Sequence, residues 1–142
     1  MSKHKWTITV GLAIALGTCV ACHFSASTAH IGSLKLAKDK AISAETNSFG
    51  ASDTVFAEAV ISNAPGKVKV KGILAVEAVE GQKTGPIPGL ETTLDLDGSG
   101  TATFNFSPPD NGWPQGKYKV EVTLLDENGE QRDQKAASLT AS

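Results

Sequence analysis

One stretch of the chain, residues 113–125, constrains the fold more than any other. It begins with a turn that contains Pro114 and Gly116, and it then alternates apolar and polar side chains. The apolar positions are Tyr118, Val120, Val122 and Leu124. This alternation is typical of a β-strand with one face buried and the other in water. The stretch therefore predicts one strand of a sheet that covers a core on one side.

Other segments with the same alternation predict the strands that accompany this one. They are residues 31–37, 54–62, 67–77, 90–96, 101–106 and, with a weaker pattern, 131–139. Loops are predicted at 41–52, 81–89 and 107–115, and Asn128-Gly129 is a hairpin signal. About seven short strands without a helical segment predict an all-β, antiparallel sandwich. The predicted core includes Tyr118, Val120, Val122, Leu124, Phe104, Leu94, Val70 and Leu74.

The segment Gly116-Lys117-Tyr118 opens the sixth of these seven strands. It resembles the tyrosine corner of Greek-key sandwiches, in which a Tyr hydroxyl bonds to nearby backbone. The chain from 31 to 139 thus resembles bacterial immunoglobulin-like (Ig-like) or fibronectin-III-like domains, although Val120 stands where antibody domains carry a Cys. The resemblance implies a single Greek-key sandwich and a bond from Tyr118 to the 107–115 segment, but it implies no ligand.

The N-terminus has the order of a secretory signal peptide. Lys3 and Lys5 form a basic start, an apolar run covers 6–21, and small residues follow. We therefore expect a signal segment at 1–22, a tether at 23–40 and an Ig-like domain at 31–142, the last two overlapping at the first strand. A retained membrane anchor is the alternative, since the apolar run is only just long enough to span a bilayer.

The end of this segment contains both cysteines of the chain. Cys19-Val20-Ala21-Cys22 resembles a bacterial lipobox, which implies lipidation of Cys22, with Cys19 as the alternative. His23 follows Cys22, and in Gram-negative lipoproteins a residue other than Asp there implies the outer membrane, facing the periplasm. Cleavage after Ala29 would instead give a periplasmic or secreted protein.

The mature domain would contain no cysteine, so it is expected to fold without disulfides in an oxidising compartment. Without Lys3 and Lys5, 11 basic side chains stand against 15 acidic ones. A mildly acidic domain is a poor candidate for nucleic-acid binding.

Two short motifs suggest metal or haem chemistry. Cys19, Cys22 and His23 fit the c-type haem attachment pattern, so a haem- or metal-binding periplasmic protein is the alternative function. Asp95, Asp97 and Ser99 resemble the start of a calcium loop, but position twelve of that loop is Phe106 instead of Glu. A hairpin turn with solvated acids explains this motif as well, and no cofactor is predicted.

Contact residues are suggested by two surface features. Lys67, Lys69 and Lys71 form a basic stripe on one strand, either a solvated or edge-protecting face or a contact for anionic lipid or polysaccharide. The Pro-rich loop carries Asp110, Asn111 and Trp113. Trp113 is either an exposed aromatic contact or a cap on the core.

No catalytic constellation is present in the sequence. The only histidines beyond residue 22 lie in the tether, and neither a Ser-His-Asp set nor a phosphate-binding Gly loop can be assembled. A hydrolase that uses Asp95, Asp97 and Asp110 would need a geometry for which the pattern gives no sign. The sequence therefore predicts a non-enzymatic binding or structural module that meets an envelope protein or polysaccharide through the loops 81–89 and 107–115.

Overall fold

A computed structural model describes residues 28–142, and every element in this range is a β-strand. The strands are β1 (His30–Ala37), β2 (Ser48–Phe49), β3 (Val55–Ser62), β4 (Val68–Val79), β5 (Gly85–Leu96), β6 (Gly100–Phe106), β7 (Gly116–Asp126) and β8 (Gln131–Ala141). In the described range no helix is long and apolar enough to cross a membrane. The predicted signal segment, with Cys19, Cys22 and His23, lies outside the described residues.

The strands form two sheets that pack face to face. One sheet has three strands in the order β1-β3-β6, and the other has five in the order β2-β8-β7-β4-β5. Every pairing is antiparallel except the short parallel contact of β2 with the end of β8. This confirms the predicted all-β, Ig-like sandwich. The seven predicted strands are present, and β2 is an additional two-residue strand inside the loop predicted at 41–52.

The core lies between the sheets and follows the predicted alternation. Along β3 every second residue from Val55 to Ile61 is buried, and along β7 the same holds from Tyr118 to Leu124. Seven of the eight predicted core side chains are buried, the exception being Leu94. Apolar burial of this kind supplies most of the free energy that favours folding.

Strand β5 differs from the prediction in two ways. It begins at Gly85, inside the segment predicted as the loop 81–89, and Leu94 is only partly buried. Both differences arise because β5 is the outer strand of its sheet, with β4 as its only neighbour. An outer strand tolerates Pro86 and Pro88, which cannot donate to a second neighbour. Its inward side chains are also less covered by the opposite sheet.

The basic stripe on β4 lies on a central strand, so its interpretation as protection of a sheet edge is wrong. Lys69 forms a salt bridge of 2.9 Å with Asp95, and Lys71 forms one of 3.2 Å with Glu91. Both acidic partners lie on β5. Two of the three charges of the stripe are therefore balanced by acids on the neighbouring strand, as expected for a solvated sheet face.

The strand registers define two opposite ends of the sandwich. At the end that we call the base, His30 pairs with Ser62 and Val68 pairs with Asp126. At the other end, the tip, Val79 pairs with Gly116 and Val55 pairs with Phe106. The described chain therefore starts at the base, and the predicted contact loops lie at the tip.

Candidate functional site

A cleft of about 310 Å³ opens at the tip of the sandwich. The loops predicted as contact regions, 81–89 and 107–115, both contribute to it. Its lining is mostly apolar and contains no charged side chain. The lining residues are Gln82, Ile87, Pro88, Leu90, Ser107, Pro109, Trp113, Pro114 and Tyr118.

One wall of the cleft comes from an irregularity in β5. Glu91 pairs with Ile73, but the next paired residue of β5 is Pro86, opposite Ala75. Residues 87–90 therefore face a single unpaired residue of β4, and they bulge away from the ladder. Such bulges re-aim side chains at the rim of a sheet. Here the bulge directs Ile87, Pro88 and Leu90 to the cleft.

The opposite wall is the segment 107–115, which is held in place by the turn before β3. The Trp113 backbone N–H donates to the Ala51 carbonyl at 2.8 Å, and its indole Nε1–H donates to the Asp53 carbonyl at 2.7 Å. Within the segment, the Gly112 N–H donates to the Pro109 carbonyl at 2.8 Å. These bonds fix the loop on the sandwich, so this wall of the cleft is already formed without a ligand.

The turn before β3 is itself braced by a carboxylate. Asp53 accepts a hydrogen bond of 2.6 Å from the Gly50 N–H, and Lys38 Nζ lies 3.2 Å from the same carboxylate. The Gly50 bond first, and then the Lys38 contact, hold the pKa of Asp53 below its usual value. Asp53 is thus ionised at neutral pH and supports the backbone to which Trp113 is bonded.

Tyr118 and Trp113 form the floor of the cleft. The Tyr118 hydroxyl donates to the Pro114 carbonyl at 2.6 Å, which confirms the predicted tyrosine-corner bond to the 107–115 segment. The two ring centroids are 5.9 Å apart with planes tilted by 59°, a favourable edge-on arrangement. Burial raises the pKa of Tyr118, so the phenol remains protonated and acts as a donor.

Trp113 is 5% exposed. Of its two predicted roles, the structure favours the cap on the core, although the residue also lines the cleft. Asp110 and Asn111 are exposed in the turn next to Pro109, but they do not line the cleft. They remain predicted contact residues on the neighbouring surface.

Two residues of the calcium-like motif form other contacts. Asp95 pairs with Lys69, and the Ser99 hydroxyl accepts the Ala64 N–H at 3.0 Å. Within residues 28–142 no three His, Cys, Asp or Glu side chains converge to form a metal site.

A larger hollow of about 410 Å³ lies between β1, β8 and residues 45–47. It is more polar than the cleft, with Glu45, Thr46, Asn47 and Ser138 in its lining. On β8 beside it, Asp133 and Lys135 pair with Leu124 and Val122, so both occupy inward-facing positions. Inward-pointing charges are a device that keeps sheet edges from pairing with other chains.

The cleft is suited to apolar contact with a few oriented hydrogen bonds. Ligand sites of about 300–1,000 Å³ with a mostly apolar lining are the usual pattern in proteins, and this cleft lies at the lower end of that range. Both loops are predictable from the sequence because Pro and Gly mark them. Ile87 and Leu90 are not predictable as lining residues, since a bulge leaves no local signal beyond Pro88 and Gly89.

The fold and the cleft define an Ig-like β-sandwich with a loop-built site at one end. No protein-family model matches the chain, and a search of curated proteins gives no match either. Among solved structures, the chain is similar to a Niemann-Pick type C2 protein from the Japanese carpenter ant, with 12% identity, a TM-score of 0.50 and coverage of 80% of this chain and 92% of that one.

A second similar structure is a β-glucuronidase from Bacteroides uniformis, with 16% identity and a TM-score of 0.50. The match covers 79% of this chain but only 14% of the enzyme. A CARDB domain from Pyrococcus furiosus follows, with 16% identity, coverage of 81% of this chain and 86% of that one, and a TM-score of 0.41. For the first two structures, identities this low establish the shared fold alone.

Proposed function

We propose that this protein is exported, anchored to the outer membrane through a lipid on Cys22, and acts as a non-enzymatic binding or structural module whose tip meets an envelope partner. The anchor is supported by the order of basic, apolar and small residues at 1–22 and by the lipobox-like end of that segment. The binding role is supported by the formed, uncharged cleft at the tip.

The observation that carries the proposal is the separation of the chain start from the cleft. The described chain starts at the base beside His30, whereas the cleft lies around Tyr118 at the tip. Strand β7 has 11 residues, which at about 3.4 Å per residue corresponds to about 37 Å. An anchor that precedes the base would therefore direct the cleft away from the membrane.

The composition of the cleft supports binding over catalysis. Ser107 is the only hydroxyl of the lining besides the Tyr118 phenol, which is already bonded to Pro114. The lining provides no His or carboxylate to activate Ser107, and an activated nucleophile needs such a base. Rigid loops on a sandwich are instead typical of recognition surfaces.

The anchor is tested by intact-mass analysis of protein extracted from membranes. We expect a species that begins at Cys22 and carries the mass of a lipid modification. A species that begins at His30 without lipid would refute the anchor and leave a soluble exported protein.

The binding role is tested by capture of partners from envelope extract with matched variants. Pro88 lies in the cleft and Pro65 in a turn at the base, and both are exposed prolines. We expect Pro88→Asp to abolish capture of the partner that the parent protein retains, whereas Pro65→Asp retains it. Equal capture by both variants would show that the binding surface does not lie at the tip.

A further inference from the structure

We infer that the cleft holds an aromatic or large aliphatic side chain that is presented by an uncharged peptide segment of another protein. The inference rests on the proposed binding role and specifies the partner's chemistry. It depends on three features of the cleft: its lack of charge, its few available hydrogen-bonding groups and its distance from the start of the chain.

The first feature is the lack of charge in the lining. Seven of the nine lining residues are Ile, Leu, Pro, Trp or Tyr, and the other two are Gln82 and Ser107. A charged group placed there would lose hydration without gaining an opposite charge, which is costly. The occupant is therefore uncharged where it enters the cleft.

The second feature is the number of polar groups that remain available. The Tyr118 hydroxyl and the Trp113 indole N–H already donate to the Pro114 and Asp53 carbonyls. The exposed Gln82 and Ser107 side chains remain, and each can both donate and accept. Two neutral donor–acceptor groups beside an apolar hollow match the peptide groups on either side of one apolar side chain. A sugar ring would need more side-chain hydrogen bonds than these two groups supply, and a hydrocarbon chain would need none.

The size of the cleft agrees with a single anchoring residue. A volume of about 310 Å³ accommodates one large side chain and part of its backbone. Protein partners commonly place such an aromatic anchor in a pocket at the centre of an interface.

The third feature excludes the chain's own N-terminal segment as the occupant. After processing at Cys22, residues 22–27 precede the described chain. At no more than about 3.6 Å per residue they extend about 20 Å, less than the length of about 37 Å of β7. This segment therefore does not reach from the base to the tip, and the occupant is not the chain's own N-terminal segment.

The test uses the full chain as it is processed during export, held in lipid nanodiscs and labelled with ¹⁵N. Trp6 lies in the removed segment, so Trp113 gives the only indole N–H resonance of the processed chain, and the Trp113 side chain lines the cleft. The probes are blocked Gly-Ser nonapeptides with Trp, Leu or Asp at the centre, together with methyl β-glucoside.

We expect the Trp and Leu peptides to shift the Trp113 indole resonance in a saturable manner, while the Asp peptide and the glucoside leave it in place. Pro88→Asp should weaken the binding of the Trp peptide at least about tenfold, or about 1.4 kcal/mol. Pro65→Asp should leave this affinity unchanged. Amide spectra of both variants establish that each one is folded.

A shift by the glucoside or the Asp peptide as large as that by the Trp peptide would overturn the inference. An unchanged indole resonance with every peptide would also overturn it. If partner capture from envelope extract still depended on Pro88 in either case, the proposed binding role would stand and only the assigned partner chemistry would fail.

Discussion

Strands β7 and β5 have nearly the same pattern in sequence and different places in the molecule. On β7 the inward residues Tyr118, Val120, Val122 and Leu124 are all buried. On β5 the inward residues Leu94 and Leu96 are only partly buried. The difference arises because β7 lies between β8 and β4, whereas β5 has one neighbour. Alternation thus identifies the inward face of a strand, but neighbours decide how much that face contributes to the core.

The contrast is tested most strongly by truncation of one leucine on each strand. Leu124→Ala should lower the free energy of unfolding by about 2–5 kcal/mol, because the residue is fully buried and a cavity remains. Leu94→Ala should cost less than about half as much, because solvent already reaches this residue. Urea unfolding measures the free energy of unfolding of both variants. Equal losses would show that β5 contributes to the core as fully as β7.

A second test uses the glycines that begin the two strands, both of which have positive φ angles. A Cβ on Gly116 would lie 2.6 Å from the Ala78 carbonyl oxygen, whereas a Cβ on Gly85 would meet nothing within 4 Å. Both substitutions to Ala carry backbone strain of about 1–3 kcal/mol, and Gly116→Ala adds an overlap with backbone. We expect thermal melting to rank Gly116→Ala clearly below Gly85→Ala, and the reverse order would contradict the packing described at β7.

The hydrogen bond of Tyr118 gives a smaller effect. Tyr118→Phe keeps the ring and removes the donor to the Pro114 carbonyl, so we expect a loss of about 0.5–1.5 kcal/mol. Because the bond also holds one wall of the cleft, the Trp113 indole resonance should move in this variant. A variant as stable as the parent, with an unmoved resonance, would show that Gly116-Lys117-Tyr118 is an ordinary strand start.

The smallest expected effect on stability comes from two aspartates at the base, Asp126 and Asp95. Asp126, at the end of β7, accepts the Glu130 and Asn128 N–H groups and pairs with Arg132. The Glu130 bond foremost lowers the pKa of Asp126. A lowered pKa in the folded state means that the contribution to stability is complete above the unfolded value of about 3.9 and is lost as the pH falls through the folded value.

We therefore expect Asp126→Asn to destabilise the protein at pH 7 and to differ less from the parent as the pH is lowered below about 4. The counterpart on β5 is Asp95→Asn, which removes an exposed ion pair with Lys69 and should change stability by no more than about 1 kcal/mol. Unfolding curves between pH 3 and 7 separate the two, and a constant deficit for Asp126→Asn across this range would refute the assigned linkage.

Much of the fold could be predicted because its determinants are local. The alternation in β3 and β7, the Asn128-Gly129 turn and the Tyr118 bond to the preceding loop all involve residues that are close in sequence. The start of β5 at Gly85 and the partial cover of Leu94 could not be predicted, because both depend on which strands lie beside and opposite β5.

The same distinction applies to the cleft. Its two loops were predicted from Pro and Gly, since these residues mark turns wherever they occur. The bond that buries the Trp113 indole joins it to Asp53, which is 60 positions away in the chain. From the sequence, a lone Trp in a Pro-rich loop is equally consistent with a cap on the core and with an exposed contact. The hydrogen bond to the Asp53 carbonyl decides for the cap.

The antiparallel pairing of β1 with β3 determines how the molecule would bear a mechanical load. Seven residue pairs join these strands from His30 at the base to Ala37 at the tip. If the N-terminus is held at the membrane as proposed and a captured partner pulls at the tip, the force runs along the strands and loads all seven pairs in shear. A sideways pull would instead unzip them one at a time. Under such a load the sandwich would resist unfolding best when it is pulled along its strands.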